Sequence, residues 1–246
     1  MSRDETKHIM IHFKGHTLLV IAPHPDDEVY GCGGLIHRVK QEGGKVYVLY
    51  LTVGTTKDFS KKGVSTSEER IDEIRKVSRF LKYDGWRIAF LGNDYHLKLD
   101  ALPQKNIIDE IERGKDISLE VLRPTIVAVP GSHDYNQDHR AAYHAAITAT
   151  RPQEPMYKAF QPYVLSYEFP YSSWAHGETM PLPNFFVPLA RRDLEVKLKA
   201  IRLYKSQLKG GQNPLSLRAV ETLAALRGVE SGGSYAEAFY AKRIVL

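Results

Sequence analysis

The 246-residue sequence holds a single cysteine, Cys32. That excludes an intramolecular disulfide framework and any zinc finger built on paired thiolates. No apolar run approaches the roughly 18 residues that span a bilayer. The opening MSRDETKHIMIHFKG is charged throughout and lacks the apolar core of a signal peptide. These absences read as a cytoplasmic protein with no membrane span. There is no G-x-G-x-x-G fingerprint and no P-loop Gly-Lys-Ser/Thr; Gly31-Cys32-Gly33-Gly34 fits neither. A nucleotide-binding module is therefore a poor reading of the main function. No repeat or low-complexity linker divides the chain, so residues 1–246 read as a single domain with one large core.

A clustered basic stripe is also missing. The net charge is +5, but the basic residues are scattered, the nearest approach to a patch being Lys57, Lys61 and Lys62 beside Asp58. Nucleic-acid footprints are concentrated, so no nucleic-acid partner is expected.

What is present is an alternation of strand-like and helix-like segments. TLLVIA (17–22) is short, apolar, β-branched and followed by proline, as expected of a buried parallel strand. Gly31, Gly33 and Gly34 then precede a helix expected over LIHRVKQEG, and VYVLYLTV (46–53) is a second strand. Strand–loop–helix–strand is a βαβ unit, which predicts an α/β fold with a parallel sheet flanked by helices. Ser65 and Glu68 resemble a capping box ahead of a helix carrying Ile71, Ile74, Val77 and Leu81. Further strands are expected at 87–92, 125–130 and 163–169, and helices at 105–113, 138–150, 191–208 and 215–226. Residues 170–188, with Pro170, Pro181, Pro183 and Pro188, read as irregular, and AFYAKRIVL as a last strand.

Two polar clusters stand at equivalent places. His24-Pro25-Asp26-Asp27 follows the first strand; His133, Asp134, Asn136, Asp138 and His139 follow the fourth. Ligands of open parallel sheets bind beyond the carboxyl ends of the strands, so the clusters should meet in one crevice. His24 and Asp27, three residues apart, with His139 as third ligand, give two imidazoles and one carboxylate, the donor set of a catalytic zinc site. Zinc would lower the pKa of its bound water and polarise a carbonyl. Asp26 is left over and is the candidate general base. Pro25 stiffens the turn. Taken singly, either cluster has a plain structural reading, Asp26-Asp27 as a helix N-terminus included.

Residues 18–36, LLVIAPHPDDEVYGCGGLI, resemble the opening motif of the PIG-L/LmbE-like family of zinc-dependent N-deacetylases. NQDHRAA (136–142) resembles its second motif and KLKAIRLYKSQL (197–208) its C-terminal helix. The resemblance implies a Rossmann-like fold and removal of an N-acetyl group from an amino sugar or glycoconjugate. It matches His24, Asp27 and His139 to the metal ligands and Asp26 to the general base. Asp138 matches an aspartate that orients the site, and Arg70 and Asp94 fall where substrate-contacting residues stand. One departure is Asn136, where many members carry a histidine. Asn can hydrogen-bond an oxyanion but cannot protonate a leaving amine, which leaves that task to His133 or to Asp26 itself. His144 points elsewhere by helical periodicity.

Other residues read more plainly: Cys32 as a small packed residue, Glu28 as support for the turn, and His37, His96 and His176 as surface residues. Tyr167, Glu168, Tyr171, Trp174 and His176 are a candidate substrate wall. Competing readings are a non-haem iron oxygenase, which the strand–helix alternation disfavours, and a family member that binds metal and sugar with little or no catalysis. The sequence does not name the acylated substrate and leaves a homo-oligomer open.

Overall fold

A computed structural model describes residues 12–57, 62–154, 156–170 and 181–246. Thr17–Ala22 forms strand β1. Leu18, Val20 and Ala22 enter one hydrophobic cluster, Leu19 and Ile21 another. Both faces of the strand are covered, so it has no polar side and reads as one apolar run. Helix α1 (Asp27–Gln41) and strand β2 (Lys45–Val53) complete the first βαβ unit. Two short strands, β3 (Thr56–Lys57) and β4 (Val64–Ser65), pair antiparallel. Then come α2 (Ser67–Leu81), β5 (Gly85–Leu91), a single 3-10 turn at Leu99–Ala101, α3 (Gln104–Arg113) and α4 (Leu119–Leu122). The second half holds β6 (Ile126–Val129), α5 (Gln137–Ala149), β7 (Tyr163–Tyr167), β8 (Phe185–Leu189), α6 (Arg191–Leu203), α7 (Leu217–Glu230) and β9 (Tyr235–Ile244).

The main sheet runs β5-β2-β1-β6-β7-β9-β8. Its first five strands are parallel, and β9 is antiparallel to both neighbours. Residues of α1, α2, α6 and α7 fill the cluster on one face, those of α3 and α5 the cluster on the other. This is the expected α/β architecture. Successive connections leave β1 towards β5 and leave β6 towards β7, so the switch point lies between β1 and β6. Among the described residues no helix is long and apolar enough to cross a membrane.

The differences from the sequence reading have local causes. Helix α1 starts at Asp27, and the three glycines lie inside it. Two of them are places of close approach. A Cβ on Gly31 would sit 2.4 Å from the Tyr167 ring, and one on Gly34 would sit 2.6 Å from Leu189. The Glu237 carboxylate reaches the helix there and accepts the N–H groups of Gly34 and Leu35 at 2.7 Å each, while Lys197 neutralises it at 2.7 Å. The capping box falls one residue later than expected. Ser65 is taken by its pairing with Thr56. Thr66 and Glu69 form the box instead, at 3.3 and 2.8 Å. Helix α6 stops at Leu203, not Leu208, because Ser206 turns its N–H and hydroxyl onto Glu73, at 2.8 and 2.7 Å. Part of the proline-rich stretch is the edge strand β8, where Pro188 is tolerated for lack of a second neighbour. His37, expected at the surface, is buried against Asp193 at 2.8 Å.

Candidate metal centre

The chain leaves β1 through Pro23-His24-Pro25 and enters α1 at Asp26, its N-cap. Asp26 holds φ 98°, in the left-handed region where aspartate is one of the few tolerated side chains. Its N–H is tied to Glu28 Oε2 at 3.1 Å. Glu28 is fully buried, and its Oε1 accepts the hydroxyls of Tyr204, Tyr50 and Tyr83 at 2.5, 2.8 and 3.3 Å. The strained turn is thus held from within the core. Beyond β6, Asp134 Oδ1 accepts the Asn136 N–H and Asn136 Oδ1 accepts the Asp138 N–H, each at 2.9 Å. Asn136 so caps α5 and sets His139 on its first turn.

The two segments meet. His24 Nδ1 lies 3.4 Å and His139 Nε2 lies 3.2 Å from Asp27 Oδ2. One ligand atom from each of the three residues falls within 4.8 Å of the others, and all three residues are buried. Each remaining nitrogen faces a carboxylate behind it. His24 Nε2 lies 2.9 Å from Asp138 Oδ2, and His139 Nδ1 lies 2.8 Å from Asp134 Oδ2. Asp138 is itself fixed by the Leu99 N–H at 2.9 Å. A carboxylate behind each imidazole orients the ring and raises its basicity, the usual support of a metal-binding histidine. The donor set and spacing fit a zinc ion.

The electrostatics follow from this packing. Burial pulls His139 down, but Asp27 and Asp134 outweigh it, and its pKa lies well above the ordinary value. His24 is raised in the same way, burial being outweighed by Asp138 and Asp27. Burial would raise Asp27, yet His139 and His24 hold it well below the carboxylate range. Positive charge is wanted between these three residues, and a bound cation would supply it. Asp26 behaves oppositely: burial, with Asp27 adding to it, pushes its carboxyl up to about 8 against the pull of Arg70. Two adjacent aspartates are thereby pushed in opposite directions, Asp27 towards a stable carboxylate and Asp26 towards a high proton affinity.

A cavity of about 520 Å³ opens over the triad. Of the residues singled out from sequence, His24, Asp26, Asp27, His139, Arg70 and Asn136 line it. Arg70 is buried and donates from Nη2 to the Pro25 carbonyl at 2.8 Å. Asp138 stands behind His24, not in the cavity. Asp94 is exposed and does not line it; from the same turn His96 does. His96 is buried, its ring edge-on to His24 with centroids 5.2 Å apart. Burial, helped by His24 and Arg70, drops its pKa to about 3. The expectation of a surface histidine fails here because the turn folds back over the end of β2, and no local pattern signals that. His133 is half-buried and does not line the cavity, and His144 is exposed.

The aromatic wall is also revised. Tyr167 is in the core with its hydroxyl on the Ile21 carbonyl at 3.1 Å, and Glu168 is paired with Arg227. Phe169 is the cavity-lining residue of that run, while Tyr171, Trp174 and His176 lie outside the described residues. Gln207, Lys209 and residues 213–215, which the sequence reading missed, close the far side. Cys32 is buried and burial raises its thiol pKa, so it is a packed, unreactive residue.

A buried His–Asp–His cluster at the switch point of a mostly parallel sheet, with a spare carboxylate at its mouth, defines a metal-dependent α/β hydrolase. The family model described as "PIG-L: GlcNAc-PI de-N-acetylase" matches residues 19–150, more than half of the chain, and the chain belongs to this family of deacetylases. It is 29% identical over 227 residues to the diacetylchitobiose deacetylase of Thermococcus kodakarensis, covering 89% of this chain and 80% of that one. The crystal structure of the conserved protein TT1542 from Thermus thermophilus superimposes with a TM-score of 0.67 at 29% identity, over 94% of this chain and 96% of that one. The structure of GalB, the 4-carboxy-2-hydroxymuconate hydratase of Pseudomonas putida KT2440, shares the fold, with a TM-score of 0.71 at 20% identity over 94% and 98% of the two chains.

Proposed function

We propose that this chain, as one domain over residues 1–246, hydrolyses the N-acetyl amide of an amino sugar or glycoconjugate with zinc as cofactor. His24, Asp27 and His139 would hold the ion. Zinc, when bound, supplies Lewis acidity towards water and the amide carbonyl. The observation that carries the reading is Asp26. It faces the cavity beside the triad, is not needed as a ligand, and has a high proton affinity. Asp26 takes the proton of the attacking water and returns it to the departing amine. One group does both jobs because Asn136 has no proton to give. Asn136 spends its Oδ1 on the Asp138 N–H. Its amide N–H groups remain as donors for the oxygen of the tetrahedral intermediate. Arg70 offsets the charge of Asp26 and steadies the Pro25 carbonyl. The acetylated amino-sugar substrate named for the Thermococcus relative supports this class of substrate.

The test is acetate release from a panel of N-acetylated amino sugars and glycoconjugates, with zinc added back to metal-free protein. Release that depends on zinc is expected. Full activity after exhaustive chelation would overturn the zinc mechanism. Hydration of an unsaturated acid with no amide cleavage would overturn the reaction class.

A further inference from the structure

We propose that His96 is a specificity-determining residue whose Nε2 accepts a hydrogen bond from a substrate hydroxyl on the carbon next to the acetamido group. The proposal rests on the amide-hydrolase reading and narrows it to 2-acetamido sugars with that hydroxyl free.

The ring's orientation is set by three contacts. Its root is clamped against Gly54, where an added Cβ would meet His96 Cβ at 2.4 Å and Cγ at 2.8 Å. Its Nδ1 edge faces Thr52 Oγ1 at 3.4 Å, and Thr52 is fully buried. The third contact is the edge-on packing against His24, at an interplanar angle of 85°. The edge bearing Nε2 is what remains to line the cavity.

The tautomer follows from counting protons. Thr52 has one hydroxyl proton, and it goes to the Pro23 carbonyl at 3.2 Å. Towards His96, Thr52 Oγ1 can therefore only accept, so Nδ1 carries the ring hydrogen. Nε2 is then a bare lone pair, an acceptor without a donor role. A ligand meeting it must bring a donor.

The position of that donor is also constrained. His24 is one of the three residues that would hold the metal, and a bound metal would draw the amide carbonyl to this place; His96 packs directly on His24. A group on Nε2 is thus close to the scissile amide, within the reach of the adjoining ring carbon. In a 2-acetamido sugar that carbon bears a hydroxyl; in a simple N-acetylated amine it bears none. A site built to hydrogen-bond a hydroxyl rejects the analogue that lacks it, because its own polar group is left unpaired.

The experiment uses the zinc-loaded full chain with methyl N-acetylglucosaminide and its 3-deoxy analogue. The wild type should prefer the hydroxylated substrate by roughly tenfold or more in kcat/KM. In His96→Leu the preference should fall to near one, and Gly54→Ala, which dislodges the ring from outside the cavity, should lower it too. An unchanged preference in folded, zinc-replete His96→Leu would overturn the proposal. So would a nitrogen NMR spectrum of the wild type showing the His96 hydrogen on Nε2, a readout that needs no variant. If the wild type releases acetate from neither sugar nor from any member of the wider panel, the hydrolase reading falls. The His96 proposal is then judged by calorimetry alone: equal affinity for glucosamine and 3-deoxyglucosamine overturns it, and at least severalfold tighter binding of glucosamine upholds it.

Discussion

On the triad side of the cavity each working residue is the front of a chain of polar contacts that runs back into the core. His24 leads to Asp138 and the Leu99 N–H; His139 is ion-paired with Asp134, which takes the Asn136 N–H; and the backbone N–H of Asp26 leads to Glu28 and three tyrosines. The opposite side is made by the turn after β5 and by residues 207–215, which belong to no helix; a bridge pairs Lys209 with Ser216, and the Tyr30 hydroxyl donates to the Leu215 carbonyl at 3.0 Å. The ring of His96, the anchor of that side, meets Thr52 Oγ1 at 3.4 Å. Chemistry that must place a proton and a metal ion needs rotamers locked from behind. Recognition of a substrate's outer groups is compatible with loops on a rigid scaffold. The difference suggests that substitutions on the first side act on kcat and metal, and those on the second on KM and selectivity.

The strongest test of that division is on the triad side. His139→Ala should lose both zinc and activity, because it removes one of the three proposed ligands. Asp26→Ala should keep zinc at wild-type stoichiometry yet lose about 10³-fold or more in kcat, within the range for a positioned acid–base group that serves twice. Zinc content by elemental analysis, measured beside acetate release, separates the two. If Asp26→Ala hydrolysed as fast as wild type, the base would be another group. Asp134→Asn leaves all three ligands in place and should weaken zinc binding by roughly 10- to 100-fold, read by competition with a chromogenic chelator.

Asn136 gives the next effect and can be dissected. As N-cap of α5 it contributes about 1 kcal/mol of stability. As amide donor it should contribute about 10²-fold to kcat. Asn136→Ala loses both. Asn136→Ser keeps a capping oxygen but has no amide donor, so it should recover the melting temperature and not the rate. Recovery of both would reduce Asn136 to a cap.

The triad side was legible in sequence for the same reason that it is rigid. His24, Asp26 and Asp27 fall within four consecutive residues, Asp138 and His139 are contiguous, and each group follows an apolar strand whose end fixes its direction. A loop between a buried strand and a helix has little freedom, so sequence position translates into place. The parallel sheet followed from the same alternation; its strand order, β5-β2-β1-β6-β7-β9-β8, is seen only in the structure. Where reading failed, the deciding contact was distant along the chain. Gly31 and Gly34 looked like a break before a helix; they are gaps for Tyr167, Leu189 and Glu237, residues more than 100 positions away. His96 looked like a surface residue, and Asp94 two positions earlier looked functional. Which of them enters the cavity depends on how the turn folds back over Gly54 and Thr52. Residues 207–215 carry no periodicity, and their placement depends on contacts such as Ser206 on Glu73.

Glu28 extends the comparison to pH. Burial raises its carboxyl from 4.5 to about 7 despite the hydroxyls of Tyr204 and Tyr50, so the folded protein holds this proton more tightly than the unfolded chain. A raised carboxyl pKa favours the folded state at low pH. That contribution is full below about 4.5 and is lost as pH rises towards 7. The loss is on the order of 3 kcal/mol at most. Glu28→Gln cannot ionise, so denaturant unfolding at pH 5 and pH 8 should show a smaller stability difference for the variant than for wild type in the same metal state. Its kcat should also fall, by less than for Asp26→Ala, because Gln can still accept the Asp26 N–H through its one carbonyl oxygen but meets the tyrosine hydroxyls with an altered donor pattern.

The smallest effect belongs to the far side and is the sharpest check on the division itself. Lys209 lines the cavity from a segment without regular structure. Lys209→Ala should leave kcat within about twofold and raise KM severalfold, the pattern of a lost contact made equally in ground and transition states. Any charge it contributes to the site is partly screened by solvent, so the KM effect should shrink as salt is raised. A fall in kcat comparable to that of Asn136→Ala, with KM unchanged, would mean that the far side takes part in the chemical step and that the two walls are not separable.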